Sequence, residues 1–367
     1  MTVGIGILGS GYMGRTYAHC LAEHTSDGRL VAVAEGTRAP ALAADFGAEH
    51  APSVEALLAR ADIDAVILAS PHSRHLPQAL AAARAGNHVY IEKPMALTVA
   101  ECDAIIEATD AAGVVLTINK VSRFREPQRT SRRLIDEGAI GTLRMIYGRH
   151  IHPEFILPEK GWVTDPAEGS RYLDWGAHAN DLVRWYSGDE VARVQADYRT
   201  FGPNHDVPQP QTAMVHLSLR GGVMAQIWMS YEVPNRALGS SDQWLLIGSD
   251  GVIECDNYGN VRLARGRSTA VGTDVPADMW KTVYVQPPMD YLANPFNAQR
   301  LKAFAAQTQD FIDAIAMGRA PAVSGRDGRA AIEIVEAADR AAATGETVWL
   351  PLSDASSAAP RGVAASG

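Results

Sequence analysis

Six residues near the start of the chain, Gly9-Ser10-Gly11-Tyr12-Met13-Gly14, decide the fold because they form a G-x-G-x-x-G motif in meaningful surroundings. The apolar run Val3–Leu8 before them predicts a buried strand, and a helical pattern follows them. The first glycine permits a tight turn, the second lets the backbone approach a pyrophosphate, and the third lets helix and strand pack closely. We therefore predict a dinucleotide contact by six residues: Gly9, Ser10, Gly11, Tyr12, Met13 and Gly14.

Glu35 indicates which dinucleotide the chain prefers. It ends the second predicted strand, 21 residues after Gly14, where an acidic residue accepts hydrogen bonds from the adenosine ribose hydroxyls. Its charge would repel the 2′-phosphate of NADP, so we expect NAD. Arg38 lies three residues further on, and because an arginine there can bind a 2′-phosphate, NADP stays open as the cofactor.

The first 120 residues alternate short, continuously apolar runs with alanine-rich helical patterns, which predicts an N-terminal Rossmann domain with a doubly wound parallel sheet. The predicted strands are Val3–Leu8, Leu30–Ala34, Ala65–Ala69, Val89–Ile91 and Val114–Ile118. The predicted helices are Met13–His24, Ala39–Phe46, Val54–Ala59, Arg74–Ala85 and Val99–Ala112. Thr98 and Glu101 form a capping box before the last helix, and Gly113 is placed for a left-handed cap after it.

After residue 121 the pattern changes to longer strands in which apolar and polar residues alternate, with a hairpin turn at Gly221-Gly222. This predicts an α/β chain whose C-terminal α+β domain has a large open, mainly antiparallel sheet. One face of that sheet carries Met214, His216, Met224 and Trp228, so either helices or a second subunit should cover it. The predicted domains are 1–121, 122–351 and a flexible tail, 352–367.

Composition narrows the function classes. The formal net charge is −9, which argues against nucleic acid or an anionic membrane as the main partner. The chain has no apolar stretch of the ~20 residues that a membrane-spanning helix needs, and its N-terminus lacks the pattern of a secretory signal. The three cysteines are widely separated, without the spacing of a disulfide framework or a zinc site. We expect a cytoplasmic protein without a metal.

The motifs together resemble the glucose–fructose oxidoreductase/inositol dehydrogenase family, over about residues 3 to 351. Besides the glycine motif, the resemblance rests on Ser70-Pro71-His72 with His75, on Glu92-Lys93-Pro94, on Arg123-Phe124, on Gly161-Trp162, on Leu173-Asp174-Trp175-Gly176-Ala177-His178, and on Gly325-Arg326-Asp327-Gly328. It implies hydride transfer between the nicotinamide of NAD(P) and a secondary alcohol of a sugar, polyol, inositol or sugar derivative. It also implies a homodimer or homotetramer that assembles through the C-terminal sheet.

Lys93, Asp174 and His178 are the predicted catalytic residues. Oxidation of an alcohol needs a base for the hydroxyl proton, and histidine titrates near working pH. His178 follows Asp174 by four residues, so both share one helix face, and Asp181 extends that stripe. Lys93 ends a parallel strand at the carboxyl edge of the sheet, where ligands bind, and its charge would stabilise a developing alkoxide. Asp174 would bind the substrate hydroxyl and orient His178.

The remaining site predictions concern binding. Ser70, Pro71, His72 and His75 follow the third strand beside the cofactor, and the resemblance places Glu92 near the nicotinamide ribose. The predicted substrate residues are Lys93, Arg123, Trp162, Arg171, Tyr172, Asp174 and His178. His150 and His152 share one strand face and either reach the pocket or lie on the surface. Arg171 and Lys120 hint at a substrate with a carboxylate.

Two alternatives to a dehydrogenase stay open. An NAD-using glycosidase or lyase would oxidise its substrate transiently and regenerate the cofactor, so that NADH would not accumulate. A non-catalytic dinucleotide-binding regulator would need none of Lys93, Asp174 and His178, and the presence of all three argues against it.

Overall fold

The computed structural model describes residues 2–153, 165–201, 209–233, 242–266, 279–289 and 294–352. The chain divides into two compact units. The first unit comprises Met1–Phe124 and Pro288–Ile332, and the second comprises Arg125–Pro287 and Glu333–Gly367. The domain boundaries after residues 121 and 351 stay predictions.

The first unit contains a six-stranded, fully parallel sheet. Its strands are β1 (Val3–Leu8), β2 (Gly28–Ala34), β3 (Glu49–His50), β4 (Ala65–Leu68), β5 (His88–Ile91) and β6 (Leu116–Ile118). Their spatial order, β3-β2-β1-β4-β5-β6, is that of a doubly wound Rossmann sheet, which confirms the predicted fold. Every residue of β1 is buried, as expected for a central strand that is covered on both faces.

Nine α-helices lie within the described segments. They are α1 (Tyr12–His19), α2 (Ala39–Asp45), α3 (Val54–Leu58), α4 (His75–Arg84), α5 (Val99–Ala112), α6 (Glu126–Asp136), α7 (Arg171–Ser187), α8 (Ala298–Met317) and α9 (Gly325–Thr344). The ends of α5 confirm the predicted N-cap and C-cap: the Thr98 hydroxyl accepts from the Glu101 N–H, and Gly113 is left-handed. The Glu101 carboxylate accepts from the Leu97 N–H, one residue before the position that a capping box uses. Across these segments, no helix combines the length and apolarity that crossing a membrane requires.

Helix α8 completes the core of the first unit, although it follows the strands of the second unit in the sequence. Its Phe304 and Phe311 are buried, and the Phe304 ring meets the Tyr17 ring of α1 edge-on at 6.2 Å. Gln307 donates to the Ile118 carbonyl and accepts from the Lys120 N–H, so its amide continues the hydrogen bonding of β6.

The second unit contains a nine-stranded mixed sheet. Its strands are β7 (Leu143–Pro153), β8 (Val191–Arg199), β9 (Thr212–Leu219), β10 (Met224–Val233), β11 (Asp242–Gly248), β12 (Gly251–Asp256), β13 (Val261–Arg265), β14 (Trp280–Tyr284) and β15 (Val348–Trp349). The order is β14-β13-β12-β11-β7-β10-β9-β8-β15, and only the β7–β10 pair is parallel. The mainly antiparallel sheet that the sequence predicts is confirmed.

Helix α7 covers one face of this sheet. The ring of Trp175 stacks 6.3 Å from that of Trp244 on β11, and the ring of Tyr186 lies 6.1 Å from it. Gly148 of β7 makes room for this contact, because a Cβ there would lie 2.6 Å from the Trp244 ring. On the opposite face, Met214 and Met224 stay exposed.

Candidate active site

The glycine motif forms the turn between β1 and α1. Gly9 has a φ of +116°, which a residue with a side chain rarely adopts, and a Cβ on Gly14 would lie 2.0 Å from the Gly9 carbonyl oxygen. Among the described residues, a Cβ on Gly11 would meet only the Arg38 guanidinium, at 3.9 Å. The two outer glycines therefore serve the packing of the turn, whereas Gly11 leaves space for a ligand beside the backbone.

This geometry fits a dinucleotide. Helix α1 begins at Tyr12 with Gly11 as its N-cap and no capping side chain, so its N-terminus is suited to a phosphate. Ser10 is buried, Met13 packs against the core, and Tyr12 is exposed with its ring 5.4 Å from that of Phe296.

The Glu35 carboxylate, at the end of β2, is held by the protein. Its Oε2 accepts a hydrogen bond from the Gln78 side-chain amide of α4 at 2.5 Å, and the amide oxygen of Gln78 accepts from the Ser70 hydroxyl at 2.7 Å. Gln78 was absent from the predicted site, because its position in the middle of an alanine-rich helix carries no motif. Arg38 is exposed just beyond Glu35, at the start of α2.

The turn after β4 brings two histidines together. The rings of His72 and His75 are both buried and lie 6.1 Å apart. His75 Nδ1 lies 2.8 Å from the Pro94 carbonyl oxygen and Nε2 lies 3.2 Å from that of Ser70. His75 thus ties the turn after β4 to the turn after β5. In the part of the chain that the structure describes, no three His, Cys, Asp or Glu side chains cluster as metal ligands would.

Glu92 anchors the Glu92-Lys93-Pro94 turn from inside the unit. It is buried, and its carboxylate accepts from the Tyr17 hydroxyl at 2.6 Å, from the Asn119 amide at 2.7 Å and from the backbone N–H of Lys93 at 3.0 Å. Burial and the Glu92 charge raise the pKa of Tyr17. These three bonds fix the backbone from which the half-buried Lys93 side chain extends, at the carboxyl end of β5.

Helix α7 carries the other predicted catalytic residues. Ser170 caps it by accepting from the Leu173 N–H at 3.1 Å. Asp174 and His178 are both half-buried on a helix whose other residues in this stretch are buried, so the two form one accessible stripe. Asp181 does not extend that stripe: it is 1% exposed, because the helix is covered on this side after its second turn.

Arg171 and Tyr172 lie deeper than the sequence analysis expected. Both are 1% exposed. The Tyr172 hydroxyl donates to the Asn180 side chain at 2.8 Å, and burial raises its pKa. The Arg171 guanidinium lies over the Tyr231 ring, 4.1 Å from its centroid. We leave Tyr172 out of the proposed substrate site, because its polar atom already has a partner in the core.

A buried chain of hydrogen-bonded side chains lies beneath α7, and His150 is the only member that the sequence analysis named. Asp242 lies 2.6 Å from His150 Nδ1, and His150 Nε2 lies 3.4 Å from the Tyr231 hydroxyl. The His150 ring also stacks on Trp175 at 4.7 Å. Burial and the nearby charge of Asp174 raise the pKa of Tyr231. The members of this hydrogen-bonded chain come from β7, β10 and β11, and no local signal joins them.

Arg123 and Trp162 complete the predicted substrate residues. Arg123 forms an ion pair with Asp327 at 3.0 Å. Burial acts to raise the pKa of Asp327, but Arg123 and Ser324 together hold it below its usual value. The Arg123 guanidinium is therefore engaged within the first unit. Trp162 lies outside the described residues.

A cavity of about 520 Å³ lies at the amino ends of the parallel strands. Its lining includes Asp64, which precedes β4, and His88, which begins β5. Ligands of doubly wound sheets bind at the carboxyl ends of the strands, so this cavity is not the dinucleotide site.

Comparison with known proteins gives the family. Residues 3–120 match the model of an oxidoreductase family with an NAD-binding Rossmann fold, and residues 128–254 match the GFO/IDH/MocA C-terminal domain. The chain is 28% identical to inositol 2-dehydrogenase 3 of Saccharopolyspora erythraea over 96% of its length and 97% of that protein. It is 29% identical to an inositol 2-dehydrogenase of Rhizobium meliloti, covering 94% of this chain and 98% of the relative.

A solved structure with the same fold is the aldose-aldose oxidoreductase of Caulobacter crescentus in complex with glycerol. It is 26% identical in sequence and superimposes with a TM-score of 0.80, covering 95% of this chain and all of the other. Together with the two domain matches and the glycine turn described above, these similarities agree on one family. The chain belongs to the GFO/IDH/MocA family of NAD-binding oxidoreductases.

Proposed function

We propose that this chain is an NAD-dependent dehydrogenase that oxidises a secondary alcohol of an inositol or a closely related polyol. The proposal rests on one feature of each unit: Lys93 extends from a fixed turn at the carboxyl edge of the Rossmann sheet, and α7 carries the accessible Asp174–His178 stripe. The substrate class is supported by the two relatives described above. Both are inositol 2-dehydrogenases, and the similarity extends over nearly their whole lengths.

In the proposed reaction, His178 takes the proton of the reacting hydroxyl as general base. The ammonium of Lys93 hydrogen-bonds the same oxygen and stabilises the negative charge that develops on it. Asp174 binds a substrate hydroxyl and orients His178 one helical turn away. NAD, when bound, supplies the acceptor for the hydride.

The residues proposed to hold NAD are those of the carboxyl edge of the parallel sheet. The turn Gly9–Gly14 and the N-terminus of α1 bind the pyrophosphate, and Glu35 binds the adenosine ribose. The exposed Arg38 is the reason to measure NADP beside NAD. Glu92 acts by fixing the Lys93 backbone.

The test is turnover by the purified chain with NAD⁺ or NADP⁺ and a panel of inositols, other polyols, aldoses and sugar acids, followed by the absorbance of the reduced nicotinamide. We expect NADH to accumulate, fastest with an inositol and with NAD⁺. Turnover of substrate without net NADH would favour the glycosidase or lyase alternative. Cofactor binding without turnover of any compound would favour a regulator.

We also propose that the chain forms a homodimer or homotetramer through the exposed sheet face of the second unit. Met145, Met214 and Met224 lie on that face and are 41%, 50% and 46% exposed, a costly surface to leave in water. Replacing Met214 and Met224 by Glu should lower the mass measured by light scattering, and an unchanged mass would contradict this interface.

We propose a cytoplasmic location as well. All three cysteines are free and buried, which is compatible with that location.

A further inference from the structure

Gln78 is a buried amide whose position packing alone does not explain. It lies on α4 among alanines, and only 4% of it is exposed. A long polar side chain at such a position loses rotamer freedom and hydration, so it is stable there only when its polar atoms have partners. Both of its polar atoms have one, and the two partners follow different strands of the parallel sheet.

The chemistry of the partners fixes the orientation of this amide. An ionised carboxylate can only accept hydrogen bonds, so the Gln78 nitrogen must face Glu35. The amide oxygen then faces the Ser70 hydroxyl, which donates to it. The result is a directed relay, Ser70 to Gln78 to Glu35, along the edge where the dinucleotide is proposed to bind.

The relay acts on a carboxylate that would otherwise move. Glu35 is half-buried and has a φ of +65°, and the next residue, Gly36, has a φ of +85°. A glutamate on such a turn has several rotamers available, and the 2.5 Å bond to Gln78 selects one of them. In the described residues, the other carboxylate oxygen of Glu35 makes no hydrogen bond, so it stays available to the ribose hydroxyls.

We propose that Gln78 is a positioning residue that holds Glu35 in place for the adenosine ribose and thereby sets the preference for NAD over NADP. The inference rests on the proposed cofactor role of Glu35. A carboxylate held in place both binds the ribose diol of NAD and repels the 2′-phosphate of NADP, whereas a mobile one does neither well. Arg38 is exposed and follows Glu35 by three residues. Its positive charge would favour NADP once the repulsion between Glu35 and the 2′-phosphate weakens.

The test is equilibrium binding of NAD⁺ and NADP⁺, measured by titration calorimetry without substrate, so that it does not depend on turnover. Gln78→Leu keeps the size of the side chain and removes both hydrogen bonds. We expect the Kd of NAD⁺ to rise about tenfold, as for the loss of one hydrogen bond to a charged group, and that of NADP⁺ to stay the same or fall. Gln128→Leu is the matched control, because it removes another buried amide, on α6 of the second unit, and should leave both constants unchanged.

A double-mutant cycle shows whether Gln78 acts through Glu35. In a Glu35→Ala background, Gln78→Leu should have no further effect on the ratio of the two binding constants. An equal loss of both cofactors in Gln78→Leu, or an unchanged ratio, would overturn the inference. A ratio unchanged by Glu35→Ala itself would instead overturn the cofactor role proposed for Glu35.

Ser70→Ala keeps the inference testable if Gln78→Leu fails to fold. It removes the donor that orients the amide and leaves Gln78 in place. We expect the same direction of change as in Gln78→Leu, with a smaller rise in the Kd of NAD⁺. An unchanged ratio of the two constants in a folded Ser70→Ala protein would contradict the relay.

Discussion

The carboxyl edge of the first unit's sheet and the α7 face of the second unit's sheet are built in different ways. At the carboxyl edge, the glycine turn shapes the surface through its backbone, and the side chains of Glu35 and Glu92 accept hydrogen bonds from donors of the protein. At the second, Asp174 and His178 are half-buried above a buried Asp242–His150–Tyr231 line. The proposed function explains this difference: groups that bind the cofactor can be held rigidly by the protein, whereas a group that takes a proton from the substrate must be one that the substrate can reach.

The largest effect should come from Lys93 and His178, the two groups proposed to act on the reacting hydroxyl. Lys93→Met and His178→Ala should each lower kcat by ~10² or more while the Kd of NAD⁺ stays nearly the same, because acid–base and electrostatic groups act on the transition state. Steady-state kinetics and cofactor titration measure the two quantities. Lys281→Met, which removes an exposed lysine of β14, serves as control. Near-normal turnover in either site variant would refute the assignment.

The glycine turn allows packing and ligand approach to be separated. Gly14→Ala places a methyl group against the Gly9 carbonyl oxygen, so it should destabilise the fold by about 1–3 kcal/mol. Gly11→Ala meets no described atom closer than 3.9 Å, so it should keep the wild-type Tm but weaken NAD⁺ binding about tenfold or more by blocking the pyrophosphate. Thermal unfolding and calorimetric titration distinguish the two. A Gly11→Ala protein that binds NAD⁺ normally would mean that the cofactor does not approach this turn.

Stability of the second unit should depend on pH through Asp339. Burial raises the pKa of this carboxyl to about 7, although it accepts a hydrogen bond from Tyr198. Between about pH 4, where the unfolded chain loses this proton, and pH 7, the folded state holds the extra proton, so its stability falls as pH rises. Asp339→Asn should remove this contribution and raise the Tm by several degrees at pH 8 relative to the wild type, with less difference at pH 4.

Asp256 is the control for this pH dependence. Burial raises its pKa to about 6, so Asp256→Asn should change the slope of stability only below that pH. If the Tm difference between wild type and Asp339→Asn is the same at pH 4 and pH 8, Asp339 does not titrate in this range.

The smallest effect should come from Tyr172, which tests where the accessible face of α7 ends. Tyr172→Phe removes the hydroxyl that donates to Asn180, so it should lower the free energy of unfolding by about 1 kcal/mol. KM and kcat should not change. A rise in KM for the polyol would return Tyr172 to the substrate site, as the sequence analysis expected. Denaturant unfolding and steady-state kinetics measure both outcomes.

The sequence by itself determined the Rossmann sheet, the cofactor class and the family. These depend on local patterns: a glycine spacing with an acidic residue after the next strand, short runs of apolar residues, and caps such as Thr98 and Gly113. Each pattern is imposed by the backbone geometry of a few neighbouring residues, so it can be recognised without knowing what lies across the sheet.

Only the tertiary structure decided which polar groups meet. The Gln78 relay joins residues that are 43 positions apart, and the Asp242–His150 contact spans 92 positions. Strand order and register set such pairs, and a shift of one residue would turn His150 to the other face of its sheet. The burial of Asp181 and Tyr172 was decided in the same way, because helical periodicity indicates which residues share a face but not how much of that face the rest of the unit covers.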